Sequence, residues 1–237
     1  MRKSLQASLT AIFAALHSVL YFVSLPFGLW RNWGIYLEPV EAVVLGPRIG
    51  FLAALVGSLV ARIAMPDPLW MFGLLAEPVS VLIAGLLARA RWKPVLIAYA
   101  VMLSAYFLHP FGTRLPLWTI LDILLALLLI YPAARLSRAL FGKDVKSLSI
   151  ALVAVSFVCI ATDSLVRVFL LVPCGLYGAL FPSYEALYAA FVVGAASSYV
   201  EDIIVVLASF VVGVPLVMIA SKLGILEKNN KKGEKAL

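Results

Sequence analysis

Long apolar runs separated by short polar turns are the dominant pattern of this chain. Most runs approach the ~20 residues that an α-helix needs to cross the hydrocarbon core of a bilayer. Proline, glycine and clusters of basic residues stand between the runs, which predicts helices that end at these turns. Eight segments result, at residues 5–26, 34–45, 49–64, 70–87, 94–108, 117–131, 147–172 and 185–223.

The last apolar block, 185–223, is too long for one span. As a single helix it would measure about 60 Å at ~1.5 Å per residue, which is about twice the thickness of the hydrocarbon core. We expect a break at the small residues 194–198. One true span would then cover 199–221, and 184–193 would form a half-helix or lid at one surface.

Composition makes the membrane assignment firm. Hydrophobic residues make up 64% of the 237, charged residues 13%, and the mean hydropathy is +1.06. A soluble domain carries about a quarter charged residues. We therefore predict an all-α, polytopic transmembrane bundle of about eight spans. It would form a single domain over 1–226, followed by a charged tail over 227–237.

The basic residues indicate the orientation of this bundle. Lysine and arginine are enriched in cytoplasmic loops. The chain has 19 lysines and arginines. With eight spans and a cytoplasmic N-terminus, 15 of them lie on the inner side, and the outer half keeps Arg31, Arg62, Arg114 and Arg167. This distribution predicts a multi-pass protein of the cell membrane, with both termini in the cytoplasm. Four tryptophans would lie at the outer interface, namely Trp30, Trp33, Trp70 and Trp118.

Several charged residues lie inside the predicted spans, and most fall near their outer ends. Ionisable groups in a membrane are costly, and they often mark functional sites. Since they come from several helices at one depth, we expect a shared cavity that opens outward. The candidate substrate-binding residues are Glu38, Glu41, Glu77, Asp122, Asp163, Arg167, Glu201 and Asp202.

Structural explanations remain open for several of these residues. Asp163 and Arg167 are four apart and can pair on one helix face. Glu201 and Asp202 can lie at the interface near a helix N-terminus. Glu38 and Glu77 are harder to explain this way, because neither has a basic residue one turn away in its own helix. His17 is interpreted as an isolated histidine packed in the core.

The charge of the candidate cavity favours a particular kind of solute. Seven acids stand against two arginines, Arg62 and Arg167. This excess suggests a ligand that is cationic or makes many hydrogen bonds. Protonation of buried carboxyl groups would weaken this expectation.

Motifs for catalysis and metal binding are absent from the sequence. It contains no G-x-x-x-x-G-K-[ST], no H-E-x-x-H, no G-x-S-x-G and no cysteine–histidine cluster. We therefore expect no enzymatic activity, no metal and no cofactor. The two cysteines, Cys159 and Cys174, are interpreted as packed thiols. Transport energy would have to come from an ion gradient or from partner subunits.

Two rows of small residues predict close helix packing. Ala7, Ala11 and Ala15 recur every four residues in the first segment, and such rows let another membrane helix approach closely. They either bind a partner protein or pack within the bundle. A second row, at positions 53, 57 and 61, is assigned to packing within the bundle.

The N-terminal part of the chain resembles the substrate-binding S components of energy-coupling factor (ECF) transporters. The resemblance covers about residues 5–90. It rests on the alanines at 7, 11 and 15, on the LGPRIG sequence at 45–50 and on the glycine- and alanine-rich helix that follows. The closing helix, with Gly213, Pro215 and Leu216 before the basic tail, is similar more loosely.

The resemblance implies a small membrane protein that captures a vitamin or a related micronutrient from outside. It would dock, through the alanines of its first helix, on a transmembrane coupling subunit that carries two ATPase subunits. Toppling of the S component in the membrane is the transport step proposed for the family. Family members usually have six spans, so we interpret 94–131 as an added hairpin.

Two other functions remain open at this point. In the first, the chain is a self-sufficient secondary transporter in which buried acids relay protons, although no inverted repeat is visible. In the second, it is a membrane scaffold that transports nothing, which would leave the acids in the outer half of the bundle unexplained.

Overall fold

The computed structural model describes residues 3–23, 33–66, 69–142 and 144–226. Within these ranges the chain is helical and contains no β-strand, which confirms the all-α prediction. Helical turns occur at Trp33–Tyr36, Leu117–Ile120, Ser137–Phe141 and Ser209–Gly213, the last being π-helical. The α-helices are α1 (Lys3–Tyr21), α2 (Glu38–Leu45), α3 (Pro47–Ala64), α4 (Trp70–Leu87), α5 (Trp92–Leu108), α6 (Leu121–Leu136), α7 (Val145–Leu171), α8 (Tyr177–Leu180), α9 (Tyr184–Ala208) and α10 (Val214–Lys222).

Helix α7 is the centre of the bundle. It is 27 residues long, 15 of them are buried, and it packs against α4, α6, α9 and α5. Asp144 caps its N-terminus by accepting hydrogen bonds from the backbone N–H groups of Lys146 and Ser147, at 3.3 and 3.0 Å. Because the helix is apolar on all sides, it can be covered by neighbours on every face.

The LGPRIG sequence joins α2 to α3 at a sharp corner beside α4. Gly46 has φ +86° and ψ 173°, a conformation that other residues rarely adopt, and the next residue, Pro47, begins α3. The Cα of Pro47 lies 2.7 Å from where a Cβ at Gly85 would be, so α4 can approach only because residue 85 is glycine. Arg89 closes the corner by donating to the carbonyl oxygens of Ala42 in α2 and Gly85 in α4, at 3.5 and 3.2 Å.

Arg89 lies just beyond the end of α4. Burial, and to a smaller extent the nearby charge of Arg91, lower the pKa of its guanidinium to about 10. Arg89 therefore remains charged at neutral pH.

Helix α1 rests on α3 through one narrow face. Ser18 donates from its hydroxyl to the carbonyl oxygens of Ala14 and Gly57, at 3.0 and 2.9 Å. A Cβ at Gly57 would lie 2.7 Å from the Cβ of His17. Ala53, Gly57 and Ala61 are all buried, which confirms that this row of small residues packs inside the bundle.

The break predicted at 194–198 is wrong. Helix α9 runs through these residues, and the irregular turn comes later, at Ser209–Gly213. Pro215 explains this position, because proline lacks an N–H and its ring clashes with the carbonyl four residues earlier. A π-helical turn before the proline relieves the clash, whereas alanine and serine are compatible with a helix.

Among the described residues, six helical stretches are long and apolar enough to cross a membrane. These are Ser4–Tyr21, Pro47–Ala64, Trp70–Leu87, Leu117–Phe141, Val145–Leu171 and Tyr184–Lys222. Helix α5 has 17 residues. Helix α2 has only 8, and at ~1.5 Å per residue it is too short to cross ~30 Å of hydrocarbon. The finding suggests a multi-pass membrane protein. The predicted tail, 227–237, lies outside the described residues.

Candidate functional site

A cavity of about 460 Å³ lies between α3, α4, α6, α7, α8 and α9. Its volume falls in the range of small-molecule sites, which are about 300–1,000 Å³. The aromatic rings of Phe72, Phe181 and Phe191 contribute to the apolar part of its wall. The polar residues of the wall are Arg62, Glu77, Thr119, Asp122, Ser164, Arg167, Ser198 and Glu201.

An ion pair between α3 and α4 forms one part of this wall. Arg62 Nη2 lies 2.5 Å from Glu77 Oε1, and Arg62 Nη1 donates to Glu77 Oε2 at 3.3 Å and to the Ser58 carbonyl oxygen at 3.1 Å. Any side chain at Gly73 would collide with the Arg62 guanidinium. The glycine one turn before Glu77 is therefore what lets the arginine reach the carboxylate.

Glu77 also receives a contact from α1. His17 Nε2 lies 2.9 Å from Glu77 Oε2, and the Ser58 hydroxyl donates to the same oxygen. On its other side, His17 Nδ1 lies 3.5 Å from Glu41 Oε2. His17 is buried, as the sequence suggested, but its interpretation as an isolated residue is wrong. Its partners, and those of Glu77, belong to other helices, so spacing along one helix could not reveal them.

The predicted pair of Asp163 and Arg167 forms on α7. Arg167 donates through Nε to Asp163 Oδ2 at 2.7 Å and through Nη2 to Asp163 Oδ1 at 3.2 Å. Asp163 is fully buried behind the arginine, whereas the Arg167 side chain is 28% exposed and lines the cavity. Arg167 Nη2 also lies 3.9 Å from Glu77 Oε1, so both arginines reach the same carboxylate oxygen.

The acids at the start of α2 lie away from the cavity. Glu38 and Glu41 are fully buried, as is the rest of α2, and neither lines the cavity wall. Glu38 Oε2 accepts a hydrogen bond from the Ser80 hydroxyl and lies 3.9 Å from the Cys159 sulfur. Their predicted role as direct ligand contacts is therefore corrected, because α2 is enclosed by neighbouring helices.

The remaining predicted acids come from α6 and α9. Asp122 and Glu201 line the cavity, whereas Asp202 is buried and does not, because the next residue of a helix points about 100° away. Asp163, behind Arg167, does not line it either. Ser164 Oγ on α7 and Ser198 Oγ on α9 lie 3.1 Å apart and join the two helices at the wall.

The cavity wall contains fewer acids than the set of candidate residues predicted from the sequence. Of the seven acids, the described wall includes Glu77, Asp122 and Glu201, together with both arginines. The other four are buried and do not line it. The expectation of a cationic solute stays a prediction, but it now rests on fewer groups.

Sequence reasoning missed His17, Ser58, Ser80 and the aromatic wall. The only local signals were the pairs Ser58 with Arg62 and Gly73 with Glu77, each four residues apart and so on one helix face. Phenylalanine is common in membrane helices, so nothing in the sequence distinguishes the rings that line the cavity. One expectation about the cysteines is wrong, since Cys159 is buried but Cys174 is exposed.

Comparison with known proteins provides little further information. No family model matches the chain, and no solved structure matches it. It is 28% identical over 131 residues to an uncharacterized protein of Methanocaldococcus jannaschii. The similar region covers 54% of this chain but 44% of that protein, so the chain spans less than half the length of this relative. The name of the relative states no activity, substrate or partner.

Proposed function

We propose that this chain is the substrate-binding membrane subunit, or S component, of an ECF-type importer of a micronutrient. In this proposal it binds its solute in the cavity between α3, α4, α6, α7 and α9. It docks on a transmembrane coupling subunit that carries two ATPases, which supply the energy that the chain cannot obtain by itself.

The cavity is the observation that carries this proposal. Its volume suits a vitamin-sized molecule. Its wall combines aromatic rings with charged side chains from several helices, as expected of a site that orients a polar solute. A membrane protein with a purely structural role would gain nothing from these charges, since buried ion pairs contribute little to stability.

The exposed face of α1 supports the docking step. Ala7, Ala11 and Ala15 are all exposed. Only 6% of the apolar window of α1 is buried, so most of the helix surface is available to lipid or to another protein. Small residues on such a face allow another helix to approach closely.

The finer topology belongs to the same proposal. We place both termini in the cytoplasm and keep the count of about eight membrane-embedded segments, of which α2 is too short to cross by itself. Helices α5 and α6 are a hairpin added to a core of six. The cavity then opens to the outside, where an importer captures its solute.

A proton-coupled secondary transporter is the second candidate. It is favoured by the buried chain of His17, Glu41 and Glu77, in which neighbouring titratable groups lie 2.9 and 3.5 Å apart. Chains of this kind serve as proton relays in membrane transporters. The two candidates differ in whether an ATPase is needed.

Native isolation of the tagged chain in mild detergent tests the proposal. We expect ATPase subunits and a coupling subunit to co-isolate with it, and mass spectrometry to detect a retained small molecule. Isolation without any ATPase, combined with uptake that collapses when the proton gradient is removed, would favour the secondary transporter. Isolation with neither an ATPase nor a retained solute would refute the proposal.

A further inference from the structure

The guanidinium of Arg167 is held in place from behind and faces the cavity. Asp163, fully buried, accepts from its Nε and Nη2. Arg167 Nη1 makes no hydrogen bond with any described residue, and the side chain is among those that line the cavity. A donor whose orientation is already fixed loses little entropy when a ligand binds to it.

Arg62 extends this donor surface. Both guanidiniums contact Glu77 Oε1, so they are neighbours on one wall of the cavity. Arg62 therefore adds a second positive charge to the wall beside Arg167.

The carboxylates of both ion pairs do not block this surface. Asp163 lies behind its arginine and outside the cavity wall, and Glu77 is already engaged by His17, Ser58 and Arg62. The Asp163–Arg167 pair therefore presents its positive end to the cavity, whereas both members of the Arg62–Glu77 pair line it. The planar fork of a guanidinium matches the geometry of carboxylate and phosphate oxygens.

We infer that the solute carries an oxyanion group, a carboxylate or a phosphate, that binds to Arg167 with Arg62 beside it. This inference rests on the proposed function, because it assigns a substrate class to the same cavity. It concerns one end of the solute and leaves its net charge free, since the described wall also contains Asp122 and Glu201.

The test uses the small molecules extracted from wild-type protein as the probe. One portion stays untreated, one is methylated at its carboxyl groups, and one is treated with phosphatase. Each portion is added to protein that has been stripped of its solute, and the melting temperature is measured. The variants are Arg167→Gln and, as a matched control, Arg138→Gln, which changes an exposed arginine outside the cavity.

We expect the untreated extract to stabilise the wild type and the Arg138→Gln variant. Arg167→Gln should need about tenfold or more extract, because a hydrogen bond to a charged group is lost. Either methylation or phosphatase treatment should abolish the stabilisation, and the effective treatment identifies the group. Should Arg167→Gln fail to fold, Arg167→Lys keeps the charge, and it should bind more weakly because a lysine offers no planar fork.

Two results would overturn the inference while leaving the proposed function intact. One is equal stabilisation of the wild type and the Arg167 variants by the untreated extract. The other is stabilisation that survives both treatments, which would indicate a neutral or purely cationic solute. If the wild type is not stabilised by its own extract, the proposed function itself fails.

Discussion

Glu77 is the residue at which most of the buried charges of this protein meet. It contacts His17 from α1, Ser58 and Arg62 from α3, and Arg167 from α7. A carboxylate in so apolar a bundle is stable only because cationic and hydroxyl groups surround it. Its sequence neighbours indicate none of this, since all four contacts come from other helices.

Replacing Glu77 tests this role. We expect Glu77→Gln to lower the free energy of unfolding by about 3–5 kcal/mol, since Arg62 would be left as an uncompensated buried charge. Denaturation of the purified protein in detergent measures this change. Glu185→Gln is the matched control, because Glu185 is exposed at the start of α9, and it should have little effect.

A double variant separates the loss of charge balance from the loss of packing. Arg62→Met together with Glu77→Met removes both charges and should be less destabilised than Glu77→Gln alone. A Glu77→Gln protein as stable as the wild type would show that the contacts of Glu77 do not stabilise the bundle.

At the scale of the element, α1 has buried and exposed positions with different roles. Ala14, His17 and Ser18 are buried, whereas Ala7, Ala11 and Ala15 are exposed. The helix therefore connects an exposed, close-packing surface with a residue that contacts a carboxylate of the cavity wall. The sequence shows the row of alanines but left open whether it binds a partner or packs within the bundle. The exposure of all three disfavours packing within the bundle.

Leucine substitutions at an exposed and at a buried position of α1 should have different effects. Ala11→Leu is expected to change stability by less than about 0.5 kcal/mol because the site is exposed, and to leave the retained solute in place. It should abolish uptake and co-isolation of the ATPase. Ala14→Leu would overpack the contact with α3 and lower stability by about 1–3 kcal/mol. If uptake survives in Ala11→Leu, the partner docks elsewhere.

The final helix illustrates where local reasoning failed. The row of small residues at 194–198 suggested a break, yet the departure from α-helical geometry is at Ser209–Gly213, before Pro215. Small side chains permit a bend but do not impose one, whereas a proline removes a hydrogen bond and creates a clash. Pro215 was therefore a better indicator of where the helix departs from α-helical geometry than the small residues were.

At the scale of the whole molecule, chemical labelling of the cysteines can test the proposed membrane topology. Cys174 is exposed in the connection between α7 and α8, and Cys159 is buried inside α7. With the termini in the cytoplasm, Cys174 lies outside. We expect a membrane-impermeant maleimide to label the protein in intact cells, and Cys174→Ser to remove the labelling. Labelling only after the membrane is opened would reverse the proposed topology.

The sequence by itself determined that the chain is helical and apolar, because hydropathy and the length of an apolar run depend on consecutive residues alone. It also determined the pair of Asp163 and Arg167, since residues four apart share a helix face. Helix α4 was predicted with the bounds Trp70–Leu87.

Only the tertiary structure decided which buried charges face the cavity. The packing of helices that are distant in sequence decides these contacts. It places Glu38 against Ser80 rather than in an open space, and it brings Glu77 to His17. Side chains at one depth can point inward, sideways or toward a neighbouring helix, and rotation of a helix about its axis is set by its packing partners. That rotation cannot be read from the order of the residues along one helix.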